Sequence, residues 1–108
     1  REAINVVMRN CKACGVFDRS RVSLGEAARY LSACREQFDL VLLDPPFHYD
    51  TLNEVLPALA DKVAPGGVVL AESEREAALP ERAGTLVLAK QYYYGKIMVS
   101  RYEKEEQA

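Results

Sequence analysis

Residues Phe38-Asp39-Leu40-Val41-Leu42-Leu43 run into Asp44-Pro45-Pro46-Phe47, and this stretch limits the fold more than any other. Leu40 to Leu43 shows no polar alternation, so it reads as a strand buried on both faces, as in a parallel sheet covered by helices. The two prolines then stop it. Neither offers a backbone N–H, each holds φ near about −65°, and each pushes the residue before it out of the helical region. The result is a stiff corner at a strand's carboxyl end, with carbonyls that lack a ladder partner and a carboxylate and an aromatic ring beside them. Open α/β sheets bind ligands at this end of their strands.

The remaining chain alternates helix and strand. Ala3, Ile4, Val7, Met8, Cys11 and Cys14 give residues 2–14 a helical period, and Gly15 is placed to stop that helix. Residues 21–24 are expected as a short strand, and residues 26–34 as a helix turning Ala27, Tyr30, Leu31 and Cys34 inward. Thr51-x-x-Glu54 reads as a capping box opening a helix that carries Leu52, Val55, Leu56, Leu59, Ala60 and Val63. Pro57 interrupts it at a cost of about 3 kcal/mol, which predicts a kink or a restart. Pro65-Gly66-Gly67 ends it. Residues 68–72 form a second buried strand, residues 74–79 a turn or short helix, and residues 86–94 and 96–103 an antiparallel hairpin through Gly95. The fold class is α/β, a single domain over residues 1–108 with a mostly parallel sheet and a C-terminal antiparallel hairpin.

Composition narrows the function classes. A chain of 108 residues with 49% hydrophobic and 28% charged residues is ordinary for one soluble globular unit. No apolar run reaches the roughly 18 residues of a membrane span and no signal-peptide pattern is seen, so a cytoplasmic protein is expected. A net charge of −2 gives no global attraction to nucleic acid. Any such affinity is local, at Lys90, Lys96, Arg101 and Lys104 or at Arg19 and Arg21, unless these are simply solvated charges. Cys11 and Cys14 are spaced Cys-x-x-Cys but fall at the end of a helix. With three cysteines and one histidine they make a poor metal inventory, so no metal is expected and the thiols read as reduced and buried.

The corner at Asp44 suits transfer of a group onto a planar exocyclic amine. Such an amine is a poor nucleophile because its lone pair is delocalised into the ring. Its N–H groups must be held on fixed acceptors, which Asp44 Oδ and a proline carbonyl can be. Phe47 can stack on the base once that base leaves its helix or loop. The alternative is a plain strand-ending turn with Phe47 as a core plug.

This segment resembles the Asp-Pro-Pro-Phe/Tyr motif of S-adenosylmethionine-dependent amino-methyltransferases. More narrowly, the chain is similar to the later part of the RsmD family, which methylates the N2 amine of a guanine in small-subunit ribosomal RNA. Asn10, Gly25-Glu26-Ala27-Ala28-Arg29-Tyr30-Leu31, Gly66-Gly67-Val68-Val69-Leu70-Ala71-Glu72-Ser73-Glu74 and Tyr94-Gly95-Lys96 carry that likeness. It implies an incomplete Rossmann-like class I methyltransferase fold, S-adenosylmethionine as cofactor, and ribosomal RNA or the small ribosomal subunit as partner. Asp44, Pro45, Pro46 and Phe47 become the catalytic corner, and Phe47 and His48 contact the substrate. Glu26, Ala27 and Asp44 contact the cofactor: in many methyltransferases an Asp at the position of Glu26 accepts the adenine amine, while the next N–H meets a ring nitrogen. Glu26 is one methylene longer, and helix capping is its alternative role. His48 reads equally as an exposed loop residue, and Glu72 as a cleft residue or the partner of a base.

The glycine-rich turn with which this family begins is not in the sequence; no Gly-x-Gly occurs. The chain reads as starting just past the ribose-binding acid. The family's strand order then leaves the strand of residues 38–43 as an apolar edge. Such an edge seeks a partner, either the strand of residues 21–24 or a second copy of the chain. Tyr92-Tyr93-Tyr94 could stack on RNA, although alternation sends Tyr93 to the opposite face, and at least one ring is expected in the core. An amino-methyltransferase acting on adenine or cytosine in DNA is the rival within enzymes. A catalytically silent folding or interaction module is the rival outside them.

Overall fold

A computed structural model describes residues 2–45 and 51–105. Its elements are α1 (Glu2–Ala13), α2 (Ala27–Ala33), β1 (Phe38–Leu43), α3 (Thr51–Leu59), β2 (Val63–Glu74), β3 (Arg82–Ala83), β4 (Leu86–Tyr94) and β5 (Ile97–Lys104). The strands form one mixed sheet in the order β1-β2-β5-β4-β3, with β1 and β2 parallel and the other neighbours antiparallel.

Helix α1 ends as its sequence dictates. Gly15 takes φ 72°, Val16 N–H donates to Cys11 O at 2.9 Å, and Gly15 N–H donates to Lys12 O at 3.1 Å. Together these bonds form a Schellman closure that satisfies the last carbonyls. α1 buries none of its side chains. The cysteines are free but not buried as expected: Cys14 is exposed, and Cys11 and Cys34 are half-exposed.

The core lies between α3 and one face of the sheet. Leu52, Val55, Leu56 and Leu59 of α3 pack with Val69 and Ala71 of β2, Leu86 of β4 and Tyr102 of β5. The Tyr102 hydroxyl donates to Pro80 O at 2.6 Å, and burial pushes its pKa up to about 12. Pro57 sits inside α3, which continues to Leu59 before tightening into a 3-10 turn over Ala60–Lys62. Lys104 Nζ and Thr85 Oγ1 both donate to Ala60 O, satisfying a carbonyl the helix end leaves without a partner. The capping box expected at the other end falls at the limit of the described residues, and Thr51's side chain lies outside them.

Pro65-Gly66-Gly67 falls inside β2 and does not precede it. Phe38 pairs with Val63 and Leu40 already pairs with Val68, so the intervening residues of β2 bulge outward. Gly66 has φ 80°, and a Cβ on Gly67 would lie 2.6 Å from Val63 Cγ1 and 2.8 Å from Ala64 O. The glycines make the bulge possible.

Two expectations fail on the outer side of β1. Residues 21–24 form no strand and do not pair with β1. A strand needs a ladder, and here Arg21 instead ion-pairs with Glu36 at 2.6 Å. α2 consequently buries only Leu31, while Tyr30 and Ala27 stay exposed and Cys34 half-exposed. Leu40 and Leu42, expected to be buried on both faces, are 59% and 69% exposed. Val41 and Leu43 alternate with them and pack on the core.

Candidate active site

Parallel pairing fixes the site. Leu43, the last residue of β1, lies opposite Ala71 of β2, so Asp44 leaves the carboxyl end of β1 beside Glu72, which is still inside β2 and pairs with Val99 of β5. Asp44 is exposed and Pro45 half-buried. Alternation puts Asp44 on the face that carries Leu40 and Leu42, away from α3. Asp44 hydrogen-bonds the Glu72 carboxyl and repels its charge, and both effects hold Glu72 above the ordinary carboxylate range. Two arginines of the sheet face other acids, Arg101 pairing with Glu103 at 2.6 Å and Arg82 with Glu105 at 2.6 Å. Glu72 thus meets an acid, not the base considered for it from the sequence.

Glu26 occupies the N-cap position of α2 with extended φ −77° and ψ 137°, but its side chain caps nothing. Its carboxylate is exposed, leaving it available to a ligand. Ala27 opens the helix, so its N–H has no intrahelical acceptor. Gly25 and Ala27, on either side of Glu26, line an open apolar hollow of about 390 Å³ whose far wall is Leu40 to Leu43. The structure therefore brings the residues flanking Glu26 to the strand that ends at Asp44. The hollow's mostly apolar walls can take a flat ring, although Glu26 itself does not line it. Pro46, Phe47 and His48 lie outside the described residues.

Sequence reasoning missed Arg75. β2 and β5 pair Glu74 with Ile97, so the two-residue turn Gly95-Lys96 lies at the same edge of the sheet as Asp44 and Glu72. Arg75 N–H donates to Lys96 O at 2.9 Å, its Nη1 donates to Gly95 O at 3.2 Å, and its guanidinium sits 4.6 Å above the Tyr93 ring. Lys90 lies 5.0 Å from the Tyr92 ring. No sequence signal ties Arg75 to a tyrosine eighteen positions on; only the register does. None of the three tyrosines enters the core: Tyr92 is half-buried, and Tyr93 and Tyr94 are exposed. They sit at the end of β4 that leads into the Gly95-Lys96 turn.

Residues 1–103 match the family model described as Conserved hypothetical protein 95. The chain belongs to that family, the RsmD family. Among its relatives is YlbH of Bacillus subtilis (strain 168), named as a candidate rRNA methyltransferase. It is 31% identical over 108 residues, which cover 95% of this chain and 59% of YlbH. A conserved hypothetical protein of Streptococcus pyogenes superposes with a TM-score of 0.87 at 30% identity, over 97% of this chain and 67% of that one. The candidate methyltransferase yhhF of Escherichia coli superposes with a TM-score of 0.85 at 25% identity, over 99% of this chain and 60% of that one. The chain thus spans about three fifths of the length of YlbH and yhhF. Within that span the RsmD-family chain has a Rossmann-like class I methyltransferase fold.

Proposed function

We propose that this protein transfers a methyl group from S-adenosylmethionine to the exocyclic N2 amine of a guanine in small-subunit ribosomal RNA. The observation that carries the reading is the corner at Asp44 and Pro45, set at a strand's carboxyl end in a chain of the RsmD family. The naming of YlbH for ribosomal RNA favours RNA over the DNA alternative.

Each of this chain's residues has a physical task in that reading. Glu26 accepts hydrogen bonds from an adenine amine, and the Ala27 N–H donates to a ring nitrogen. When bound, the cofactor supplies an electrophilic methyl group on a sulfonium. Asp44 Oδ and Pro45 O accept the two N–H bonds of the target amine and aim its lone pair. The new N–C bond forms as the methyl–sulfur bond breaks, with that electron pair remaining on sulfur. The amine's surplus proton then passes to Asp44 or to water. Phe47 stacks on the base and His48 touches it or its phosphate. The cytoplasm is the compartment this substrate requires; no helix among the described residues is long and apolar enough to cross a membrane. The bare outer edge of β1 pairs with a second copy when this 108-residue chain is studied alone.

The test is methyl transfer by the intact protein to protein-free ribosomal RNA, to assembled small subunits and to DNA, with the products digested and identified by mass spectrometry. N2-methylguanosine from small-subunit RNA is expected. N6-methyladenine, N4-methylcytosine or no methylated base would overturn the proposal.

A further inference from the structure

We propose that Glu72 accepts the N1–H of the target guanine, and so selects guanine against adenine and cytosine. This inference rests on the reading of the reaction above and adds a residue to it.

The argument begins with the edge each base presents. Guanine places its N2 amine beside N1–H, so two neighbouring atoms of the ring edge both donate. Adenine and cytosine place their exocyclic amine beside a bare ring nitrogen, so a donor sits next to an acceptor. Unpaired bases in RNA are read on this edge. An ionised carboxylate only accepts, whereas an amide can also donate. Two acids side by side therefore match a donor–donor edge and oppose a donor–acceptor one.

The fold supplies such a pair. The register of β1 on β2 puts Asp44 beside Glu72, close enough for the two carboxyls to interact. Across the sheet on the other side, Glu72 faces Val99, which offers no charge. Its raised affinity for a proton reports the same fact, because two adjacent carboxylates need a donor between them. In the free protein that role falls to a proton more readily than at an isolated carboxylate. In the complex the N2–H and N1–H of guanine fill it, as charge-assisted hydrogen bonds. An adenine or cytosine ring nitrogen would instead point its lone pair at Glu72, so the residue works by repulsion as well as attraction.

The experiment uses small-subunit ribosomal RNA rebuilt by ligation with either guanine or 2-aminopurine at the position the wild-type protein methylates. 2-Aminopurine keeps the 2-amine but carries an acceptor at N1. The wild-type protein should prefer guanine by about 10- to 100-fold in kcat/KM. In Glu72→Gln, whose amide can donate to N1, the preference should collapse or invert. Equal use of both bases by the wild-type protein would overturn the inference without any variant, so a misfolded Glu72→Gln cannot shelter it. An unchanged preference in a folded Glu72→Gln would also overturn it. No methylated guanine from the wild-type protein would instead remove the reading of the reaction itself, and this inference with it.

Discussion

Leu56 and Leu42 have the same side chain and opposite burial, so substituting each tests where the core lies. Leu56 of α3 is fully buried among Val55, Leu59 and the inner face of the sheet. Leu56→Ala removes three carbons and leaves a cavity, which costs about 2–5 kcal/mol. Against a total stability of about 5–15 kcal/mol for a domain, that is a large fraction. For a chain near this length each kcal/mol lowers Tm by about 4–8 °C, so a drop of at least 8 °C is expected. Leu42 is 69% exposed on the outer face of β1. Leu42→Asp should change stability by no more than about 0.5 kcal/mol, although the run it belongs to looks like core from the sequence alone. Thermal melts of the 108-residue chain by far-UV circular dichroism, at two protein concentrations, measure both. Equal losses at both concentrations would refute the placement of the core on the α3 side.

Sedimentation of the 108-residue chain should show a dimer that Leu40→Lys weakens, because a charge on an apolar edge strand discourages pairing; a monomer at all concentrations would sink the edge-pairing reading. Tyr102→Phe should cost about 1 kcal/mol through the lost bond to Pro80 O. It should also flatten the alkaline limb of stability: with its folded pKa raised to about 12, Tyr102's contribution is intact below pH 10 and lost as pH rises through the folded value. Glu72 and Glu105 act with opposite signs in acid. Arg82 holds Glu105 below the ordinary carboxylate range, so its contribution is present above pH 4.5 and lost as pH falls through the lowered value. Glu72 is raised, so the folded state is favoured below pH 4.5 and loses that advantage as pH rises through the raised value. Acid melts should therefore flatten at the low-pH end in Glu105→Gln, and above pH 4.5 in Glu72→Gln.

Local signals carried much of the fold. The Gly15 stop, the helical period from Leu52 to Leu59 and the hairpin through Gly95 each depend on residues close in sequence, and each is where the pattern places it. What the pattern could not convey is which faces are covered. Leu40 and Leu42 read as core because four aliphatic residues in a row suit a strand with neighbours on both faces. Whether such neighbours exist is a property of the sheet, and here β1 is its edge. The three tyrosines misled in the same way, since alternation assigns sides but not what lies over them.

The site was half legible. Asp44 and Pro45 follow from two prolines after an apolar run, and Glu26 from the glycine before it. The contact between Asp44 and Glu72 is a register fact. It depends on the bulge at Pro65-Gly66-Gly67, which sets which residue of β2 comes beside the carboxyl end of β1. Removing one bulge residue would shift Glu72 off Asp44 and turn its side chain to the other face.

Asp44→Ala in the intact protein, assayed for methyl transfer and for Tm in the same preparation, is the most direct test that this corner orients the target amine. Loss of activity by at least about 10²-fold with an unchanged Tm is the predicted result, since Asp44 is exposed. Retained activity, or a loss of activity matched by a loss of fold, would contradict it.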